Sequence, residues 1–328
     1  MILSRTIVNT ASQFETGGRP INPQALLNAM PGAIAQGLIW GIMAIGVYIT
    51  YKVLDLADLT VDGTMALGGA VCVMLMLNGV NVWVALICAI LAGMIAGLLT
   101  GIFHTAMGIP PILSGILTQL SLYSINLAIM DFKANQGISV TKYNLIVSQR
   151  NVRVLNWSNP IFRAFIFLAV MIGILYWFFG TEIGCSLRAT GANEAMARAQ
   201  SINTSTAKIL GLMISNGIVA LSSAMLAHYQ GFVDVNMGRG AIVIGLAAVI
   251  ISDVIFAKIF RNFAAKLAGV AIGAVIYYIV IQVVLWMGLN TNLLKLLSAL
   301  IVAVFLAIPH WKTALESKHT AKGGRQNA

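Results

Sequence analysis

The chain has 328 residues, 59% of them hydrophobic and only 9% charged. Soluble domains carry about 25% charged residues, so with a mean hydropathy of +0.89 this composition excludes a soluble protein and describes a polytopic membrane protein. The net charge of +10 does not mark a nucleic-acid binder, because the cations fall in loops and in the tail, where anionic lipid and the positive-inside bias act.

Residues 1–25 form a mixed, polar leader without defensible chemistry, and no cleavable signal precedes the first apolar run. Residues 26–50 make a first span of bilayer length. Gly32, Gly37, Gly41 and Gly46 recur along it, and small residues at such spacings let helices approach closely, as in a packed bundle. The next stretch, YKVLDLADLTVDGTMALGGAV at 51–71, carries Asp55, Asp58 and Asp62 at i, i+3 and i+7. They share one face if the segment is helical. Gly63 and the short apolar run to Leu77 predict a broken or half helix. Two readings stand for these acids: Asp62 or Thr60 caps the half helix, or intramembrane carboxylates mark a solute path. Asp58 is balanced between packing and pathway, and Asp55 reads as loop-exposed.

A third span is expected over 82–104 and a fourth over 111–130, entered through Pro110-Pro111. His104 at this edge reads as an interfacial side chain. The longest loop, 131–160, is polar and basic and reads as a lid or docking surface on the soluble side. A fifth span covers 161–180. Four more are expected at about 208–228, 241–257, 267–288 and 293–309, followed by a basic tail at 311–328. Placing the tail in the cytoplasm puts the 184–208 loop there too, together with Lys258, Arg261 and Lys266. The amino terminus is then outside.

That loop, GCSLRATGANEAMARAQSINTSTAK, is a polar island between apolar runs. Within it NEAMARAQ predicts a short helix with Asn193 as N-cap and a Glu194–Arg198 pair at i,i+4, between turns at Gly191 and at Ser201 to Asn203. As a bare loop it is a solvated connector; as a smooth capped helix it suits another protein's groove. A weak internal repeat relates GTMALGGAV (63–71) to GAIVIGLAAV (240–249), and its offset of five crossings predicts an inverted repeat, four plus one plus four.

Cys72, Cys88 and Cys185 have no metal-ligand or redox spacing. The histidines (His104, His228, His310 and His319) are dispersed, with no paired carboxylates beside a nucleophile. No catalytic residue, cofactor or metal site is expected.

RATGANEAMARAQSIN resembles the cytoplasmic coupling loop of the branched-chain amino acid and ribose permeases of ABC importers, departing at Ser201, where that family usually has glycine. The ADLTVDG core within 51–71 is similar to the broken second helix of the tryptophan/tyrosine-type subgroup. The likeness covers roughly residues 30–310. It implies an all-α polytopic membrane fold of about nine transmembrane segments with broken half-helices, a type II ABC importer-like inverted repeat. It also implies a permease domain over 26–310 in the cytoplasmic (inner) membrane, used as a dimer. Partners would be two ATPase subunits and an extracytoplasmic binding protein delivering a small solute, foremost an amino acid. The chain has no GxxxxGK[ST], so nucleotide would bind another subunit. Arg188, Gly191, Asn193, Glu194 and Arg198 would couple to the ATPase. Asp58, Thr60, Asp62 and Gly63 would belong to the translocation pathway. An ion-coupled secondary transporter using Asp58 and Asp62 is the rival reading.

Overall fold

The computed structural model describes residues 23–287, apart from 141, 144, 154, 155, 257, 258 and 261, and scattered positions between 293 and 307. The leader through residue 22, Lys258, Arg261 and the tail therefore lie outside the described residues, and so does the expected span at 293–309 as an element.

The first helix, α1 (Pro23–Tyr48), continues through a π-helical turn, Ile49–Val53. It is followed by α2 (Thr60–Leu77), α3 (Val82–Thr105), α4 (Pro111–Ile129) and α5 (Pro160–Gly180). Two short polar helices, α6 (Glu182–Ala192) and α7 (Glu194–Ala199), lead into α8 (Thr204–Gln230), α9 (Ala241–Phe256) and α10 (Phe263–Trp286). Among the described residues seven helices are long and apolar enough to cross a membrane, and α9 is a shorter apolar helix.

The core is the layer of α1, α2 and α8. A ladder of side chains ties α1 to α8: Tyr229 donates to the Gly32 carbonyl, Ser222 to Ile39 and Ser215 to Gly46. The numbers fall on one helix as they rise on the other, so the two run antiparallel. Gly93, Gly97 and Gly101 of α3 lie against Asn216, Leu212 and Ile209 of α8, again antiparallel. A Cβ at Gly97 would collide with the Leu212 carbonyl, so the small-residue stripe sets this contact. The helices α3, α4 and α5 stay outside this layer and present exposed Leu, Ile, Val and aromatic side chains.

The two helices that begin at breaks, α2 and α9, start at a common level and diverge; α2 is of spanning length, so its run to Leu77 is not the short half helix expected, although the break before it is present. Cys72 and Met76 of α2 reach His228 at one end of α8, whereas Asp253 of α9 reaches Lys52 at the opposite end of α1. This is the inverted relation that the 63–71 and 240–249 similarity predicts.

The long 131–160 loop holds an element that sequence periodicity does not reveal. A three-residue strand, β1 (Asn135–Gly137), pairs antiparallel with β2 (Phe232–Asp234), in the register Gln136 to Val233. Arg163 pins the same loop by donating to the carbonyls of Ile146 and Trp157.

Candidate functional site

Two polar constructions stand out against the apolar bundle. The first is the junction where the half-helices begin. Residues 54–59 are not helical, so the condition under which Asp55, Asp58 and Asp62 would share one face is not met, and Asp55 is loop-exposed as its sequence position suggests. Asp55 takes φ +55 and is exposed, a conformation that short polar side chains tolerate. Asp58 turns inward and is 3% exposed. Its Oδ1 accepts from the Thr60 N–H at 2.9 Å, and its Oδ2 from Asn216 Nδ2 at 2.7 Å. The Asn216 carbonyl oxygen in turn accepts from Thr64 at 2.7 Å. The Thr60 hydroxyl meets Thr100 at 2.7 Å, and Thr100 donates to Thr118 at 2.9 Å. Side chains of α2, α3, α4 and α8 are thereby joined around one break, so that buried polar groups are satisfied in a site where water is scarce.

Asp62 does its capping elsewhere than expected. It sits in the first turn of α2, yet its Oδ2 accepts from Gly240 N at 2.9 Å and its Oδ1 from Ile242 N at 3.0 Å. It therefore satisfies orphan amides at the start of α9, the other half-helix. Thr60 gives its hydroxyl to the α3 contact, and the cap for its own amide comes from Asp58. Gly63 is buried where α4 crosses: a Cβ there would lie 3.0 Å from Leu122 Cδ1, and its carbonyl accepts from Asn126. Asp58, Thr60 and Gly63 are packed inside the chain, and Asp62 is half-buried.

The second construction lies at the opposite end of the bundle from the β1–β2 pair. Thr181 caps α6, with its hydroxyl accepting from Gly184 N at 3.3 Å. Asn193 then breaks the helix in extended backbone and caps α7, accepting from Met196 N at 3.0 Å. Glu194 is the hub. Its Oε1 receives Arg198 at 2.6 Å and Thr204 at 3.2 Å, and its Oε2 receives Lys208 at 2.8 Å. Arg198 also donates to the Thr204 hydroxyl at 3.0 Å. The knot fastens the six residues of α7 onto the first turns of α8. The bond from Lys208, reinforced by the Arg198 guanidinium, holds the Glu194 carboxyl below the usual carboxylate range.

Gly191 is not the turn that its sequence position suggests. It lies inside α6, half-buried beneath the carbonyl of Val53, where a Cβ would collide. The turn after α7 is as expected: Ser201 takes φ +61, the left-handed region that glycine enters at no steric cost. Arg188 stands apart from the Glu194 knot, in a cleft beside Lys52 and Lys266.

Several groups escape sequence reading. Met196 projects from α7 with 66% exposure, and a lone methionine among alanines was its only signal. Lys208 lies fourteen residues from its partner Glu194, beyond local pairing rules. Asn216, Thr100 and Thr118 read locally as ordinary small polar residues of apolar spans.

The comparisons with known proteins agree with this architecture. The family model described as the permease component of the branched-chain amino acid transport system matches residues 30–309. The tyrosine transport system permease protein of Clostridioides difficile is 38% identical over 291 residues, which cover 88% of this chain and 94% of that protein. An uncharacterised protein of Rickettsia prowazekii is 34% identical, over 86% of this chain and 98% of its own. A fructose import permease of Bifidobacterium longum is 24% identical over 75% and 68% of the two chains. Among solved structures, PsaBC from Streptococcus pneumoniae superposes with a TM-score of 0.51 at 15% identity, over 88% of this chain and 95% of that one. At that identity the likeness speaks for the fold. The chain belongs to the family of branched-chain amino acid transport system permease components. It is a multi-pass membrane protein and a transport component.

Proposed function

We propose that the chain is the membrane-spanning permease subunit of an ATP-driven ABC importer for an aromatic amino acid. An extracytoplasmic binding protein would deliver the solute to the face carrying β1 and β2. Two copies of the chain would enclose the path, and two ATPase subunits would act at the α7 end. The observation that carries the reading is the α6–Asn193–α7 unit. It is a short helix capped at Asn193 and knotted through Glu194, rigid enough to transmit a push. It presents Met196 and the small side chains of Ala195 and Ala199 outward. Such a surface suits insertion into a partner's groove, with the methionine as its apolar anchor.

Glu194 and Arg198 then act chiefly by holding α7 in shape, and Asn193 by starting it. Asp58, Thr60, Asp62 and Gly63 fix where the two half-helices begin, which sets the geometry of the path between copies. The aromatic substrate rests on the similarity to the tyrosine permease. The ion-coupled alternative finds less support, because all four carboxylate oxygens of Asp58 and Asp62 accept from N–H donors. Cation sites of hard metals are built instead from convergent oxygens.

The test is ATP hydrolysis and tyrosine uptake in proteoliposomes, after co-expression with an ATPase and with ion gradients collapsed. Met196→Asp is the informative variant, since it changes the presented surface and leaves the knot intact. Glu194→Arg/Arg198→Glu, which disturbs the knot, is its companion. Loss of uptake with ATPase still bound, or loss of ATPase binding, supports the reading. Uptake driven by an ion gradient without any ATPase overturns it.

A further inference from the structure

An open cleft of about 870 Å³ lies at the α7 end of the bundle, where α1 and α5 finish and α10 begins. Three cations line it from three directions: Lys52 from the end of α1, Arg188 from α6 and Lys266 from the first turn of α10. No carboxylate is among the residues that line it. Lys52 is already paired with Asp253 just beyond, at 2.9 Å. Arg188 has a contact to the Cys185 sulfur at 3.2 Å, and among the described residues neither Arg188 nor Lys266 forms a salt bridge. Arg188 and Lys266 therefore line the cleft without a paired carboxylate among the described residues.

Its rim is aromatic. Tyr48, Trp177 and Phe263 border it, and Trp177 is 72% exposed at the last turn of a membrane-spanning helix. Tryptophan at the end of a span marks the headgroup level of a bilayer. From Trp177 an exposed apolar stripe runs back along α5 through Ile174, Val170 and Ile166, at helical spacing. The stripe meets the cleft at Trp177, and its Ile174 and Val170 also line an apolar groove between α5, α3 and α8.

We propose that this cleft is a binding site for an anionic phospholipid, with the phosphate between Arg188 and Lys266 and an acyl chain along the α5 stripe. Basic pockets between membrane helices attract such headgroups. The lipid would brace α1, α5 and α10 against α6, the helix that carries α7, so the site lies next to the segment on which the proposed function depends. It neither requires an ATPase nor follows from one.

The experiment is native mass spectrometry of the full chain, purified in neutral detergent and titrated with phosphatidylglycerol or phosphatidylcholine. Wild type is expected to retain phosphatidylglycerol preferentially. Arg188→Gln/Lys266→Gln should lower that preference at least tenfold, at roughly fivefold per charge removed. Arg150→Gln/Arg153→Gln, an equal charge change in the 131–160 loop, should leave it intact. Should the double variant fail to fold, Lys266→Glu gives the same reading from one exposed position. Equal retention of the two lipids by wild type overturns the proposal, as does an unchanged preference in the variants. Displacement of the lipid by inorganic phosphate alone also overturns it, since that marks a free-phosphate site.

Discussion

Asp62 Oδ1 accepts from Ile242 N at 3.0 Å across 180 residues of sequence. The carboxylate belongs to one half-helix and the amide to the other, so the first repeat lends the second what its break lacks. A helix start within a bilayer leaves amides that water cannot reach, and a carboxylate is the strongest side-chain acceptor for them. With Gly240 N on the second oxygen, one side chain fixes where α9 begins relative to α2. Asp62→Asn keeps one acceptor oxygen and sets an NH₂ against the other amide. Hydrogen bonds to charged groups contribute about 1.5–3 kcal/mol, so the variant should lose roughly 2–4 kcal/mol. Unfolding in mixed micelles would register this, and a change below about 0.5 kcal/mol would contradict the cap.

The α3–α8 contact makes a sharper steric prediction. At Gly97 a Cβ would run into the Leu212 carbonyl, while at Gly173 of α5 nothing lies within 4 Å. Gly97→Ala should therefore force the two helices apart at about 1–3 kcal/mol. Gly173→Ala should be neutral or slightly stabilising, since alanine is the better helix former. Thermal midpoints of the two variants in the same detergent separate the readings. Equal midpoints would show that helix propensity rather than close approach governs these glycines.

Spans and breaks were legible in the sequence because composition and local chemistry specify them. Apolar length marks α1, α3, α4, α5, α8 and α10, and the Asn193 cap follows from residue type and spacing alone. What escaped was long-range. The i, i+3, i+7 spacing of Asp55, Asp58 and Asp62 would make one face of a helix, but the chain is unwound at 54–59, where Asp55 is exposed and Asp58 turns inward to Asn216 of α8. Gly191 looks like a turn residue and serves instead as a seat for the Val53 carbonyl. In each case the decisive partner lies on another helix, where no local rule reaches. The β1–β2 pair was hidden for a different reason, since three-residue strands are too short for alternation to show.

Ser201 holds φ +61 immediately after α7. A side chain there costs about 1 kcal/mol or somewhat more in the left-handed region, which glycine avoids. Ser201→Gly should stabilise the turn by a few tenths to about 1 kcal/mol, because glycine's greater freedom in the unfolded chain offsets part of the relief. Hydrogen exchange of the amides at 200–203 should slow by up to about fivefold. Faster exchange would mean that the serine side chain itself holds the turn.

The Glu194 knot carries a pH dependence whose direction follows from its partners. The bond from Lys208 lowers the carboxyl's pKa in the folded chain, whereas an unpaired glutamate titrates at about 4.3. A group with a depressed folded pKa stabilises the fold above its unfolded pKa, and that contribution is lost as pH falls through the folded value. From pH 8 to about 5 the knot should thus be intact and its contribution constant. Glu194→Gln removes the charge at every pH. Exchange of the amides at 195–204 should be several-fold faster in the variant than in wild type at pH 7, and wild type should converge on the variant only below the ordinary glutamate range. Comparing the two at matched pH cancels the intrinsic exchange rate. Because Glu194 is partly exposed, with 37% of its side chain accessible, the gap should also shrink as salt is raised toward about 1 M, where screening extends only about 3 Å. A gap indifferent to both pH and salt would assign the stability of α7 to the Asn193 cap and the packing of Ala197 instead.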